Sequence, residues 1–120
     1  MNCLFCSIID KKIPADIVYE DEHLLAFRDI NPQTPQHMLI IPKKHITTLN
    51  DAQEADALTL GRLSLAAAKL AKQLGFADQG YRTVMNCNEH GGQTVYHIHL
   101  HLLGGKALGW PPFTDQLKTG

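Results

Sequence analysis

His97-Ile98-His99-Leu100-His101-Leu102-Leu103 is the stretch that decides how this chain is read. Three histidines alternate with apolar residues. On a strand, alternate side chains share a face, so Tyr96, Ile98, Leu100 and Leu102 are expected in the core and the three imidazoles in a row opposite. Imidazoles titrate near neutral pH, so such a row suits nucleophilic, proton-carrying or metal-binding work. His97 and His101 lie about 13 Å apart along an extended strand, whereas zinc–nitrogen bonds are about 2.0–2.1 Å. A purely metallic reading therefore leaves at least one imidazole unaccounted for. An extended anion fits the row better, with one ring as nucleophile and its neighbours as donors to oxygens.

Just upstream, Tyr81 to Cys87 reads as a strand, followed by the polar turn Asn88-Glu89-His90-Gly91-Gly92-Gln93-Thr94. Adjacent glycines are an ordinary hairpin signal, but beside a row of imidazoles they also suggest a nest of backbone N–H groups for an anion. Gln93 and Thr94 would add side-chain donors.

Further toward the N-terminus, Ile17 to Glu20 and His23 to Asp29 read as a hairpin turning at Asp21-Glu22, and His37 to Pro42 as a third strand. From Asp51 the period changes. Leu60, Leu63, Ala67, Leu70 and Leu74 recur at three- and four-residue steps, with Asp51 and Glu54 as start signals and Gly75 as the stop. This predicts one long amphipathic helix with a core-facing leucine stripe. A short helix is expected within Cys3 to Lys11, closed by Ile13-Pro14. Strands, a long helix, then strands again make an α+β domain with an antiparallel sheet.

At 120 residues the chain is expected to be one domain, 1–120, and a domain this long buries roughly two-thirds of its unfolded surface. Lys and Arg number 11 against 12 for Asp and Glu, so no basic field points to nucleic acid. Neither a membrane span nor a signal-peptide pattern is evident, and a cytoplasmic protein is expected. Cys3-Leu4-Phe5-Cys6 is a C-x-x-C knuckle. In such a setting it points to metal more readily than to disulfides, although it supplies only two ligands. Cys87 is read as an inert thiol.

The run HIHLHLL fits the His-φ-His-φ-His-φ-φ signature of the histidine triad (HIT) nucleotide-binding proteins. The resemblance extends through Phe5–Pro14, Phe27–His37, Ile41-Pro42-Lys43-Lys44-His45 and Gly91–Tyr96, which look like the bacterial adenosine phosphoramidase branch. It implies the HIT fold, with a five-stranded antiparallel sheet and one long and one short helix per subunit, continued across a homodimer as a ten-stranded sheet. It further implies hydrolysis of purine nucleoside 5′-phosphoramidates through a covalent nucleotidyl-histidine intermediate, with no cofactor for catalysis.

By the same resemblance His99 is the nucleophile, its Nδ1–H held by the backbone carbonyl of His97. His101 and Gln93 would bond phosphate oxygens, Thr94 would sit near the leaving amine, and Asn86 would contact phosphate or ribose. Asp29 would accept from both ribose hydroxyls, which a carboxylate suits. Leu4, Phe5, Ile8, Ile13, Phe27 and Ile30 would wall a purine slot, although composition alone places all six in the core. His37 would be a fourth histidine stacked on the row.

Some HIT proteins complete a structural zinc site from C-x-x-C and two histidines, here Cys3, Cys6, His45 and His97, a sensible closed set. The tail, about 104–120, carries Gly109-Trp110-Pro111-Pro112. The resemblance places Trp110 at the partner subunit's leaving-group pocket, against the plainer reading that it packs on its own subunit. Two other functions stay open: a dinucleoside polyphosphate hydrolase of the same superfamily, and a zinc-bearing nucleotide-binding or scaffold protein with incidental hydrolysis. The hydrolase branch continues from the row into a Pro-Arg-like segment, whereas Gly104-Gly105-Lys106 follows here.

Overall fold

The computed structural model describes residues 3–112. In chain order these form α1 (Leu4–Ile9), β1 (Ile17–Glu20), β2 (Leu24–Arg28), β3 (Gln36–Pro42), α2 (Ala57–Gln73), β4 (Tyr81–Val84) and β5 (Leu100–Gly104), with short 3-10 turns between. The five strands make one antiparallel sheet in the order β1-β2-β3-β5-β4.

Both faces of the central strands are covered, which is why β2 and β3 read as nearly unbroken apolar runs. Leu24, Ala26, Met38 and Ile40 point to α2, where they meet the expected stripe at Leu63, Ala67 and Leu70. Their neighbours Leu25, Phe27, Leu39 and Ile41 point to the other face, against Phe5 and Ile8 of α1. Each fully buried leucine or isoleucine contributes up to about 1.5–3 kcal/mol.

Three expectations shift. The expected start signals of the long helix, Asp51 and Glu54, belong to 3-10 turns instead: Asp51 accepts from Thr48, and Glu54 opens a second turn whose Asp56 accepts from the Gln53 backbone and from Lys44 at 2.5 Å. The α-helix proper begins only at Ala57. The carboxylates serve these turns first because each reaches back to a backbone N–H three residues before it.

The second shift concerns the histidine run. It enters the sheet at Leu100, so of the three histidines only His101 lies on a strand, and Tyr96 is 44 % exposed and not in the core. Pairing stops there for a physical reason. The first β3 residue past the Ile40–Leu100 pair is Ile41, followed by Pro42, which has no N–H to donate. The His97 carbonyl is given to the His99 ring instead, while Ile98 bonds back to the Ile46 carbonyl. Ile98, Leu100 and Leu102 do reach the core.

The 88–94 turn also departs from the nest reading. The N–H groups of Gly91, Gly92 and Gln93 bond back to the carbonyls of Asn88 and Glu89 at 3.0–3.2 Å, so they are spent on the turn. Asn88 turns the chain at φ +60 after β4 has ended at Val84, three residues short of the expected Cys87.

Candidate active site

A cleft of about 300 Å³ opens between α1, the end of β2 and the histidine run. His99 and His101 line it with Asp29 and Thr94 on the polar side. All six expected slot residues line it as well. They divide by exposure: Phe5, Ile8 and Phe27 are buried, while Leu4 and Ile13 are partly open and Ile30 is 100 % exposed. The composition-based placement of all six in the core thus fails for three. An isoleucine left entirely in solvent at a cleft mouth is an apolar wall with nothing on it.

Each imidazole has a tautomer set by its partners. His99 Nδ1 lies 2.8 Å from the His97 carbonyl oxygen, which can only accept. The ring therefore donates through Nδ1–H and keeps its lone pair on Nε2. Burial lowers the pKa of His99 against the opposing hydrogen bond to His97 and the charge of Asp29, so the ring is neutral at neutral pH.

The His101 side works in reverse. The Gln33 backbone N–H donates to His37 Nδ1 at 3.0 Å, which puts the His37 proton on Nε2. That proton is directed at His101 Nδ1, 2.9 Å away. His101 must then carry its own proton on Nε2, as a donor for the cleft it lines. Burial first, then the neighbouring His99 and His37, push His101 down to about 4. Asp29 Oδ2 sits 3.5 Å from His37 Nε2, while its Oδ1 accepts from the Asn31 backbone.

A second cluster lies behind the row. His97 donates through Nε2–H to the Pro42 carbonyl at 2.7 Å, leaving Nδ1 as the lone pair. That Nδ1 is 3.4 Å from Cys3 Sγ, 3.6 Å from Cys6 Sγ and 3.1 Å from His45 Nδ1. His45 Nε2 lies 3.2 Å from the Thr47 hydroxyl, which is able to accept its N–H. Four ligand atoms thus converge with their outer nitrogens tied down, the arrangement that orients histidines toward a metal. Tetrahedral zinc would place two nitrogens about 3.3 Å apart and nitrogen and sulfur about 3.6 Å apart, close to the separations seen. Burial, then the Cys3 neighbour, push the Cys6 thiol up to about 11, and a cation reverses that by taking the thiolate.

His37, His101 and Asp29 also bring three ligand-type atoms together. They do not make a comparable metal site. The Gln33 N–H occupies His37 Nδ1 and forces a proton onto the Nε2 that would have to ligate.

Three expected site residues stand elsewhere. Gln93 is buried behind the run: its amide donates to the Thr47 and Val95 carbonyls, and its oxygen accepts from the Asn88 backbone. Both amide protons thus go to carbonyls, and Gln93 ties three segments together. Asn86 donates to the Gly91 carbonyl at 2.6 Å and does not line the cleft. Trp110 is 80 % exposed and also outside the cleft lining. Residues 113–120 of the expected tail lie outside the described residues. Sequence reasoning missed the backbone groups of Gln33 and Pro42, because any residue supplies an N–H and carbonyl and no side-chain pattern marks them.

An apolar slot, a carboxylate and a neutral imidazole with a bare Nε2 define a small-molecule site of hydrolase type. The HIT domain family model matches residues 10–108, and the chain belongs to the HIT family. It is 56 % identical over 106 residues to the purine nucleoside phosphoramidase of Escherichia coli strain K12, covering 88 % of this chain and 89 % of that protein. The crystal structure of a HIT family hydrolase from Legionella pneumophila Philadelphia 1 superposes with a TM-score of 0.91 at 57 % identity, covering 92 % of this chain and 99 % of the other. A histidine triad protein from Clostridium difficile gives 0.88 at 42 % identity over 91 % and 95 %.

Proposed function

We propose that this protein is a purine nucleoside 5′-phosphoramidate hydrolase. The observation that carries the reading is the His99 tautomer: an Nε2 lone pair, fixed by the His97 carbonyl, in a cleft with an apolar slot and Asp29. The slot holds the base by its faces, and Asp29 accepts from the ribose hydroxyls. His99 Nε2 attacks the α-phosphorus, the P–N bond breaks, and the amine leaves near the Thr94 hydroxyl with a proton drawn from solvent, which the later attack of water returns. Water then cleaves the nucleotidyl-histidine, releasing the nucleotide and restoring the neutral ring. His101, a donor through Nε2, stabilises the charge on the phosphoryl oxygens.

Zinc fits the tetrad of Cys3, Cys6, His45 and His97, where it would tie α1 to the histidine run as a structural ion. The reading includes a single domain over 1–120 and a homodimer joined through β4. That edge is the open one, since β1 carries an irregular register and the Glu20 pairs to Lys11 and Lys43. The exposed Trp110 is then covered by the partner subunit. A cytoplasmic setting agrees with three free cysteines, and no helix among the described residues is long and apolar enough to cross a membrane.

The test compares adenosine 5′-phosphoramidate and a lysine-linked AMP with a diadenosine polyphosphate, using wild type and His99→Ala. Fast cleavage of the P–N substrates, slow cleavage of the anhydride and a loss on the order of 10⁴-fold in the variant are expected. Preference for the anhydride would move the chain to the polyphosphate branch, and an unaffected variant would remove His99 as nucleophile.

A further inference from the structure

Phe5 stands in sequence between Cys3 and Cys6, and its side chain is only 3 % exposed. Its ring meets His99 edge-on, with centroids 5.1 Å apart at 88°. It also meets His97 at 5.9 Å and 68°, and Phe27 at 5.5 Å and 73°. So one side chain touches the nucleophile, the histidine that orients it, and the wall of the slot.

His99 needs such a contact. Its Nδ1–H bond to the His97 carbonyl restrains one ring atom, and for the rest its tilt depends on the rings packed against it. Swinging would carry Nε2 away from the line of attack. Phe5 and His101, the latter 5.0 Å away at 63°, limit that swing. What holds Phe5 is α1, six residues long, too short to persist without tertiary support. Its first turn is pinned by Cys3 Sγ, which accepts from the Cys6 N–H at 3.3 Å, and by both thiols converging on His97 Nδ1.

We propose that Phe5 is a positioning residue for His99, and that the cysteine–histidine tetrad acts on the nucleophile through Phe5 as well as through the His97 carbonyl. This rests on the hydrolase reading above for its kinetic consequence, but not for its structural one. It separates two jobs of one side chain: as slot wall Phe5 binds the base, and as ring stop it aligns His99. The first job vanishes when the substrate has no base. The second does not.

Phe5→Leu, which keeps apolar bulk and loses the ring, is assayed on adenosine 5′-phosphoramidate and on abasic ribose 5-phosphoramidate. If Phe5 positions His99, kcat falls about 10- to 100-fold on both substrates. If it is only a wall, KM rises on the purine substrate, kcat holds, and the abasic rate is unchanged, which overturns the proposal. Phe5→Met serves in its place if the leucine variant does not fold. A second readout needs no turnover: the His99 Nδ1–H resonance should exchange faster in Phe5→Leu, and also in wild type after a chelator strips the tetrad. An unaltered resonance in Phe5→Leu contradicts the inference. Inactive wild type would refute the hydrolase reading alone, since the resonance would still judge Phe5.

Discussion

The two histidine clusters of this molecule use the same side chain to opposite ends. Around His97 a backbone carbonyl, that of Pro42, takes the outer proton and turns a lone pair inward toward two thiols and His45. Around His37 a backbone N–H, that of Gln33, occupies the outer nitrogen and turns a proton inward toward His101. An inward lone pair is free to ligate a cation, whereas an inward proton sets the tautomer of the next ring and leaves that ring a donor in the cleft. His99 lies between them and draws on both: the first cluster's carbonyl aims its lone pair, while the second supplies the donor beside it. Residue type alone does not say whether a histidine turns a lone pair or a proton inward; the backbone group behind each ring does.

The largest break in this contrast is Cys6→Ser. It should take metal in the purified protein from near one equivalent to near none and cost about 4 kcal/mol of stability. Metal analysis and chemical denaturation check both. An equal metal content in the variant would mean that the tetrad does not bind as described.

A smaller effect is expected from His37→Ala. Without the His37 proton, His101 Nδ1 loses its partner and the ring can invert its tautomer. Turnover should fall about 10- to 100-fold, with metal content unchanged. If metal were lost as well, the two clusters would not be independent.

The smallest effect is the response to pH. Burial holds His99 and His101 below the free-imidazole range, so the unfolded chain binds protons first as pH falls. Stability is therefore level above about pH 6.5 and declines as pH drops toward the His101 value of about 4. Activity should follow the same sense, since protonating His99 Nε2 removes the lone pair. Denaturation midpoints at stepwise pH check the sign, and His101→Gln should flatten part of the decline.

Much of the fold was legible because periodicity reports packing directly. The leucine stripe of α2 and the double-sided apolar runs of β2 and β3 follow from which faces are covered. The histidine run was misjudged for a related reason: alternation promised a strand from Tyr96, but the pairing depended on Pro42 in another strand and on a carbonyl recruited by His99. In the site, His99, His101, Asp29 and the slot residues all line one cleft. Gln93 and Asn86 are not among its lining residues: Gln93 donates to the Thr47 and Val95 carbonyls, and Asn86 to the Gly91 carbonyl, contacts that no side-chain pattern marks. Ile30 departs from its composition-based placement because it lines the cleft and lies outside both core clusters.

The central claim is that among His37, His97, His99 and His101, the first three buried and the last partly so, His99 alone carries its proton on Nδ1. Nitrogen-15 NMR of the histidine rings at neutral pH measures this directly. The account predicts Nδ1–H for His99 and Nε2–H for His37, His97 and His101; an Nε2–H on His99, or an Nδ1–H on His101, would contradict it.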